Sequence, residues 1–110
     1  MERWVLVAET NCSIPSREKE FNYWYDTVHI PDVLETPGIL RATRYENSDP
    51  SEGRGKFLAL YEIETEEIER TSAALGEIIT NKWELGRMSE LVVAVSATFY
   101  RQMGPTIGEK

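Results

Sequence analysis

His29 is the only histidine in this 110-residue sequence, and its neighbours make it the first candidate for chemistry. Asp26 lies three residues before it and Tyr25 four before it. On a helix both spacings bring side chains into contact. An aspartate beside an imidazole sets its tautomer and supports its protonated form, which suits a general base. The competing reading is a helix-end histidine bonded to Asp26 or to backbone carbonyls.

The tyrosines follow: Tyr23, Tyr25, Tyr45, Tyr61 and Tyr100. A buried hydroxyl can donate to an enolate or phenolate as charge develops. The plainer fate is packing, with the hydroxyl at a wet edge. Tyr61 and Tyr45 stand out because they sit within strands, at alternating positions that can face a cleft. Arg41 and Arg44 lie on opposite faces of one strand, since faces alternate. Either can be the inward one that binds a carboxylate or enolate, the other being an edge charge. Leu40 and Ala42 read as helix-facing, which turns Arg41, Thr43 and Tyr45 the other way. Trp24 falls in an apolar stripe and reads as core, whereas Trp83 lies outside the clear patterns and reads as a ligand wall. Cys12 has no base it must approach, so it is not read as a nucleophile. The acidic residues Glu62, Glu64, Glu66, Glu67 and Glu69 read as a solvated face.

Composition narrows the classes. The length suits one domain, expected over residues 1–103 with a loosely held tail over 104–110. Twelve basic against nineteen acidic residues leave a net charge of −7, which argues against nucleic acid or an anionic membrane as partner. One cysteine and one histidine exclude an internal disulfide and a multi-residue Cys/His metal site. No apolar run approaches a membrane span, and the start lacks a signal-peptide pattern. The expectation is a cytoplasmic protein. Gly53 and Gly55 sit in a loop that precedes no helix, so no nucleotide cofactor is expected, and none of another kind.

The elements that position these residues follow from periodicity. Trp4 to Glu9 reads as a strand. Asn11 to Ser16 reads as a loop, with Ser13 or Ser16 as the cap of a helix. Phe21, Trp24, Tyr25 and Val28 form one helical face. Pro31 ends or bends that helix, and residues 31–34 can add one turn. Ile39 to Glu46 and Lys56 to Glu64 read as strands around the loop Asn47 to Gly55. Thr65 caps a second helix bearing Ile68, Ser72, Leu75 and Ile79. Asn81 to Met88 returns the chain to a last strand, Glu90 to Arg101. The order β-α-β-β-α-β predicts an α+β, ferredoxin-like antiparallel four-stranded sheet with both helices on one face. In the last strand Leu91, Val93, Val95, Ala97 and Phe99 alternate with Val92, Ala94, Ser96, Thr98 and Tyr100, and neither set is solvent-like. A sheet covered on one side should present a polar free face, so this one calls for a cover, most simply a second copy.

The segment Glu20-Phe-Asn-Tyr-Trp-Tyr-Asp-Thr-Val-His29-Ile-Pro-Asp-Val-Leu34, followed by Pro37-Gly38 and Arg44-Tyr45, resembles the dimeric α/β-barrel superfamily, and within it the EthD-like group. The strand Lys56 to Glu62 is similar too, and the resemblance runs from about Trp4 to Tyr100. It implies a homodimer whose two sheets form a barrel, with a ligand cleft in each subunit. It also implies that His29 lines that cleft and that Arg44 and Tyr45 match the family's Arg-Tyr pair. Proteins of this fold include polyketide cyclases, cofactor-free monooxygenases, lactone isomerases, dechlorinases and haem enzymes, so fold alone does not select a reaction. The block around His29 resembles the EthD-like group rather than the haem-binding branch.

Two functions follow. One is a cofactor-free enzyme on a small cyclic, aromatic or polyketide-like metabolite, with His29, Asp26 and Tyr61 catalytic and Tyr25, Arg44, Tyr45 and Trp83 binding substrate. Cyclisation, dehydration, isomerisation or oxygen attack could each follow proton abstraction. The other is a non-catalytic dimer that binds a hydrophobic small molecule or serves as an accessory subunit.

Overall fold

The computed structural model describes residues 1–108. Its elements are β1 (Glu2–Cys12), a 3-10 turn (Pro15–Arg17), α1 (Glu18–Trp24), a π-helical turn (Tyr25–His29), α2 (Ile30–Val33), β2 (Ile39–Glu46), β3 (Phe57–Thr65), α3 (Ile68–Glu84) and β4 (Val92–Arg101). The strands order β2-β3-β1-β4, with every neighbouring pair antiparallel. This is the expected α+β, ferredoxin-like arrangement. No helix among the described residues is long and apolar enough to cross a membrane.

The core lies between the sheet and the helices. Leu6 on β1 and Phe57, Ala59, Tyr61 and Ile63 on β3 meet Phe21, Tyr25 and Val33 from the helical segment. Ile68, Leu75 and Ile79 of α3 pack against the same cluster. The period-2 pattern of β3 places its four apolar residues on one side, as its sequence predicts.

Several expectations shift. β1 runs on through Asn11 and Cys12, because Asn11 is paired with Val93 and Cys12 with Val92. Neither Ser13 nor Ser16 caps a helix: Ile14 precedes the 3-10 turn and Arg17 precedes α1, without side-chain caps. The extra turn expected at Pro31 forms as α2, with the proline in its first turn, and a π-helical turn precedes it. That wider turn lies just where proline has no N–H to give to an α-helical ladder. Glu67, not Thr65, precedes α3, although the Thr65 hydroxyl accepts the Glu67 N–H at 3.2 Å.

α3 extends to Glu84, past the expected start of the return loop at Asn81. It ends in a Schellman motif. The Arg87 N–H donates to the Lys82 carbonyl at 2.9 Å, and that of Gly86 to Trp83 at 3.0 Å. Gly86 has a φ of +72°, which glycine adopts without steric cost.

Two irregularities reset the faces. In β2 the register slips between Ile39 and Arg41. Leu40 is therefore 47% exposed rather than helix-facing, and Ile39 is buried in its place. Between β1 and β4 the register slips at Glu9 and Thr10, leaving Val95 unpaired. Beyond it Ala94 and Val92 join Ala97 and Phe99 on the helix side, and the regular alternation expected there breaks. A bulge inserts one residue and so inverts every side chain after it.

The free face carries half-buried Val5, Val7, Leu58 and Leu60. The pairs Arg3–Glu64 and Arg41–Glu62 flank them. The hairpin loop after β2 closes onto β1, where the Glu9 carboxylate accepts the Gly55 N–H at 3.2 Å. A side chain at Gly55 would start 2.8 Å from the Glu9 Cβ and 2.9 Å from the Thr10 nitrogen, so this approach requires glycine. No helix or strand forms over Gln102 to Gly108; the expected tail reaches, at 109 and 110, beyond the described residues.

Candidate functional site

Arg44 shares a face of β2 with Ala42, toward the helices. Ala42 pairs with Tyr61 and Arg44 with Ala59, whose side chains face α1. Arg41 instead pairs with Glu62 on the free face. Arg44 Nη1 donates to Asp26 Oδ1 and Nη2 to Asn22 Oδ1, both at 2.8 Å. The guanidinium carbon sits 4.1 Å from the centroid of the Tyr25 ring and 5.7 Å from that of Phe57. A cation over an aromatic face is attracted to the ring's negative quadrupole. A cavity of about 210 Å³ opens here, lined by Asn22, Asp26, Arg44, Tyr45, Glu46 and Phe57.

Behind Arg44 lies a buried aromatic layer. Tyr25 and Tyr61 are each 2% exposed. The Tyr61 hydroxyl makes no well-formed hydrogen bond among the described residues, and the group beside it is the Tyr25 phenol, toward which it donates weakly. Burial, joined by the neighbouring Tyr25 phenol, pushes the Tyr61 pKa up, so this hydroxyl keeps its proton. Burial also raises that of Tyr25.

His29 packs against the same layer. Its ring stacks on Trp24 at 4.9 Å and 21°, and meets Tyr25 edge-on at 4.9 Å and 77°. Burial pushes its pKa down to about 4, with Asp32 opposing the shift and Arg44 adding to it. The imidazole is therefore neutral at pH 7. That is the protonation state a base needs.

The expected Asp26–His29 pair is not formed. Asp26 turns to Arg44 instead. Both residues lie in the π-helical turn, whose wider winding separates side chains that an α-helix would stack at i and i+3. Of the sequence candidates, the fold brings Asp26, Arg44 and Tyr45 to one pocket, while Tyr25, His29 and Tyr61 lie in the layer behind Arg44 and do not line it. Tyr45 stands at the rim, 54% exposed. Trp83 does not line this cavity and is 59% exposed on α3.

Sequence reasoning missed a second arginine. Arg87 Nε donates to Asp32 Oδ2 at 2.8 Å and Nη2 to Oδ1 at 3.0 Å. Lys82 Nζ lies 3.8 Å from the same carboxylate, and the Arg87 carbonyl accepts the Trp24 indole N–H at 2.8 Å. Gly86-Arg87 after an amphipathic run was the available signal, since a glycine at that place ends a helix and aims the next residue back. Among the described residues, no group of three or more His, Cys, Asp or Glu side chains is placed to hold a metal ion.

No family model matches the sequence, and no curated protein matches it. Solved structures do. A dimeric ferredoxin-like protein from an uncultured marine organism aligns with a TM-score of 0.65 at 10% identity, over 98% of this chain and 100% of that one. SnoaB, a cofactor-independent oxygenase from Streptomyces nogalater, aligns with a TM-score of 0.63 at 13% identity, over 99% and 100%. An ethyl tert-butyl ether d (EthD) family protein from Bacillus halodurans aligns with a TM-score of 0.54 at 16% identity, over 94% and 100%. This chain shares the ferredoxin-like fold of the EthD-like group. At these identities the likeness is one of fold, and the chemistry has to be argued from the side chains.

Proposed function

We propose that the protein is a cofactor-free enzyme that removes a proton next to the carbonyl of a small cyclic or aromatic metabolite. The observation that carries this reading is the buried layer that puts the Tyr61 hydroxyl, beside the Tyr25 phenol, together with neutral His29 and the Arg44 guanidinium. His29 accepts the proton from carbon. The Tyr61 O–H turns from the Tyr25 phenol to the oxygen on which negative charge develops, and Arg44 stabilises that charge nearby. Tyr25 and Tyr45 contact the ring system. Loss of water from such a layer strengthens each of these interactions. The half-buried apolar centre of the free sheet face supports a homodimer packed sheet to sheet. The cyclase, isomerase and oxygenase outcomes share this first step. Trp83 has no part in it.

A second reading, a non-catalytic small-molecule binder, is favoured by one observation. Asp26 is spent on Arg44, so it does not orient His29.

The test uses 2-tetralone, an aromatic ketone with acidic α-protons, in deuterated buffer at neutral pH. The protein is expected to speed C1 proton exchange over buffer, as read by NMR. His29→Gln is expected to lower the protein-dependent rate by about 100-fold or more. Exchange no faster than in buffer, with tetralone still bound, overturns the enzyme reading in favour of the binder.

A further inference from the structure

We propose that Asp26 is a placeholder on Arg44, occupying the position of the ionised carboxylate of a planar aromatic monoacid that displaces it on binding. This deepens the proposed function, and rests on it, by naming the substrate class of the same site.

The geometry of the pair carries the argument. A guanidinium offers five N–H donors in a fork that matches both oxygens of a carboxylate. Asp26 uses one oxygen on one nitrogen. The Asp26 side chain is 57% exposed, whereas that of Arg44 is 17% exposed. The guanidinium is held without Asp26, by the Tyr25 ring and by Asn22 Oδ1. Removing the aspartate thus leaves a positive charge in place, facing the cavity. An exposed carboxylate gives up little when it leaves for water. A ligand carboxylate seated against the half-buried guanidinium can take two N–H groups along one edge, and two parallel bonds are stronger than one.

The walls define the rest of the ligand. Phe57 supplies aromatic surface, and Tyr45, which pairs with Leu58 on the other face, reaches the pocket only at its rim. The volume of about 210 Å³ falls below the about 300–1,000 Å³ of drug-sized sites, so one or two fused rings suit it. Glu46 also lines the cavity. Its charge, with Asp26 displaced but near, disfavours a second anionic group. Lys56 lies 5.4 Å from the Phe57 ring centroid but is paired with Glu18 at 2.8 Å. The ligand is therefore a monoanion.

The experiment measures binding of 1-naphthoate and of its neutral counterpart 1-naphthamide by calorimetry, on the wild-type protein, Asp26→Asn and Arg44→Gln. The wild type is expected to bind naphthoate about tenfold more tightly than naphthamide. Asp26→Asn, which keeps the shape and removes the competing charge, is expected to tighten naphthoate about fivefold and leave naphthamide within about twofold. Arg44→Gln is expected to erase the preference. If that variant does not fold, the two Asp26 ratios decide alone. Naphthoate no tighter than naphthamide, an unchanged naphthoate affinity in Asp26→Asn, or no binding of either probe at millimolar concentration overturns the proposal. The tetralone assay separates it from the reading on which it rests. Exchange without the anion preference overturns the placeholder alone. The anion preference without exchange overturns proton abstraction alone.

Discussion

Two aspartates six residues apart in one helical segment each face an arginine, and the two pairs are built differently. Asp32 is buried, with a side chain 7% exposed, and receives two parallel bonds from Arg87. Asp26 is mostly in water and receives one bond from Arg44. In the first pair the carboxylate is the buried partner and the arginine comes to it from solvent. In the second the arginine is buried and the carboxylate comes from solvent. The first joins α2 to the end of α3, and the Arg87 carbonyl that holds Trp24 strengthens that seam. The second sits in the wall of an open pocket. An ion pair whose buried member is an acid already satisfied on both oxygens has no room for a ligand. One whose buried member is a half-used guanidinium does.

The contrast breaks most readily at Asp32. Asp32→Ala leaves Arg87 and Lys82 without their shared carboxylate and unties the seam. Because Arg87 can turn to water, the cost is about 2 kcal/mol rather than the full penalty of a buried pair. Urea unfolding measures it, and a loss below about 0.5 kcal/mol would make the two pairs alike.

His29 lies under the influence of both pairs, since Asp32 raises its pKa and Arg44 lowers it. Its folded value of about 4 lies below the ordinary 6.5. The unfolded chain thus takes up the proton first. The stability from burying the neutral ring is complete above pH 6.5 and is lost as pH falls toward 4. Between pH 7 and pH 5 the wild type is expected to lose about 2 kcal/mol more than His29→Gln. Equal losses in paired urea titrations would put the imidazole in water, outside the layer that Arg44 and Tyr61 share.

Asp26→Ala has the smallest expected effect on folding. Its exposed pair contributes little, so the unfolding free energy should stay within about 0.5 kcal/mol of wild type. A larger loss would show that Asp26 holds the fold as Asp32 does, and would remove the distinction on which its displacement depends.

Much of this architecture was legible in the residues. The alternation from Phe57 to Ile63 and the helical spacing of Phe21, Trp24 and Tyr25 express the period of their elements directly. The order of elements then left the ferredoxin-like topology, because hydrophobic faces on two helices and four strands need one shared layer. Tyr25, Asp26, Arg44 and Tyr45 were legible as chemistry-bearing groups by type and position, but their partners were not.

Tertiary structure decided those partners, through three local departures from regular period. The slip at Leu40 turned Leu40 out and Ile39 in, while Arg44 stayed with Ala42 under α1. The unpaired Val95 reset the faces of β4. The π-helical turn parted Asp26 from His29 and delivered it to Arg44. Sequence period states which residues share a face as long as the period holds. A bulge or a widened turn costs little locally and is selected by packing against elements far along the chain. The identity of the residues was therefore set by the sequence alone, and which charge met which was set by the fold.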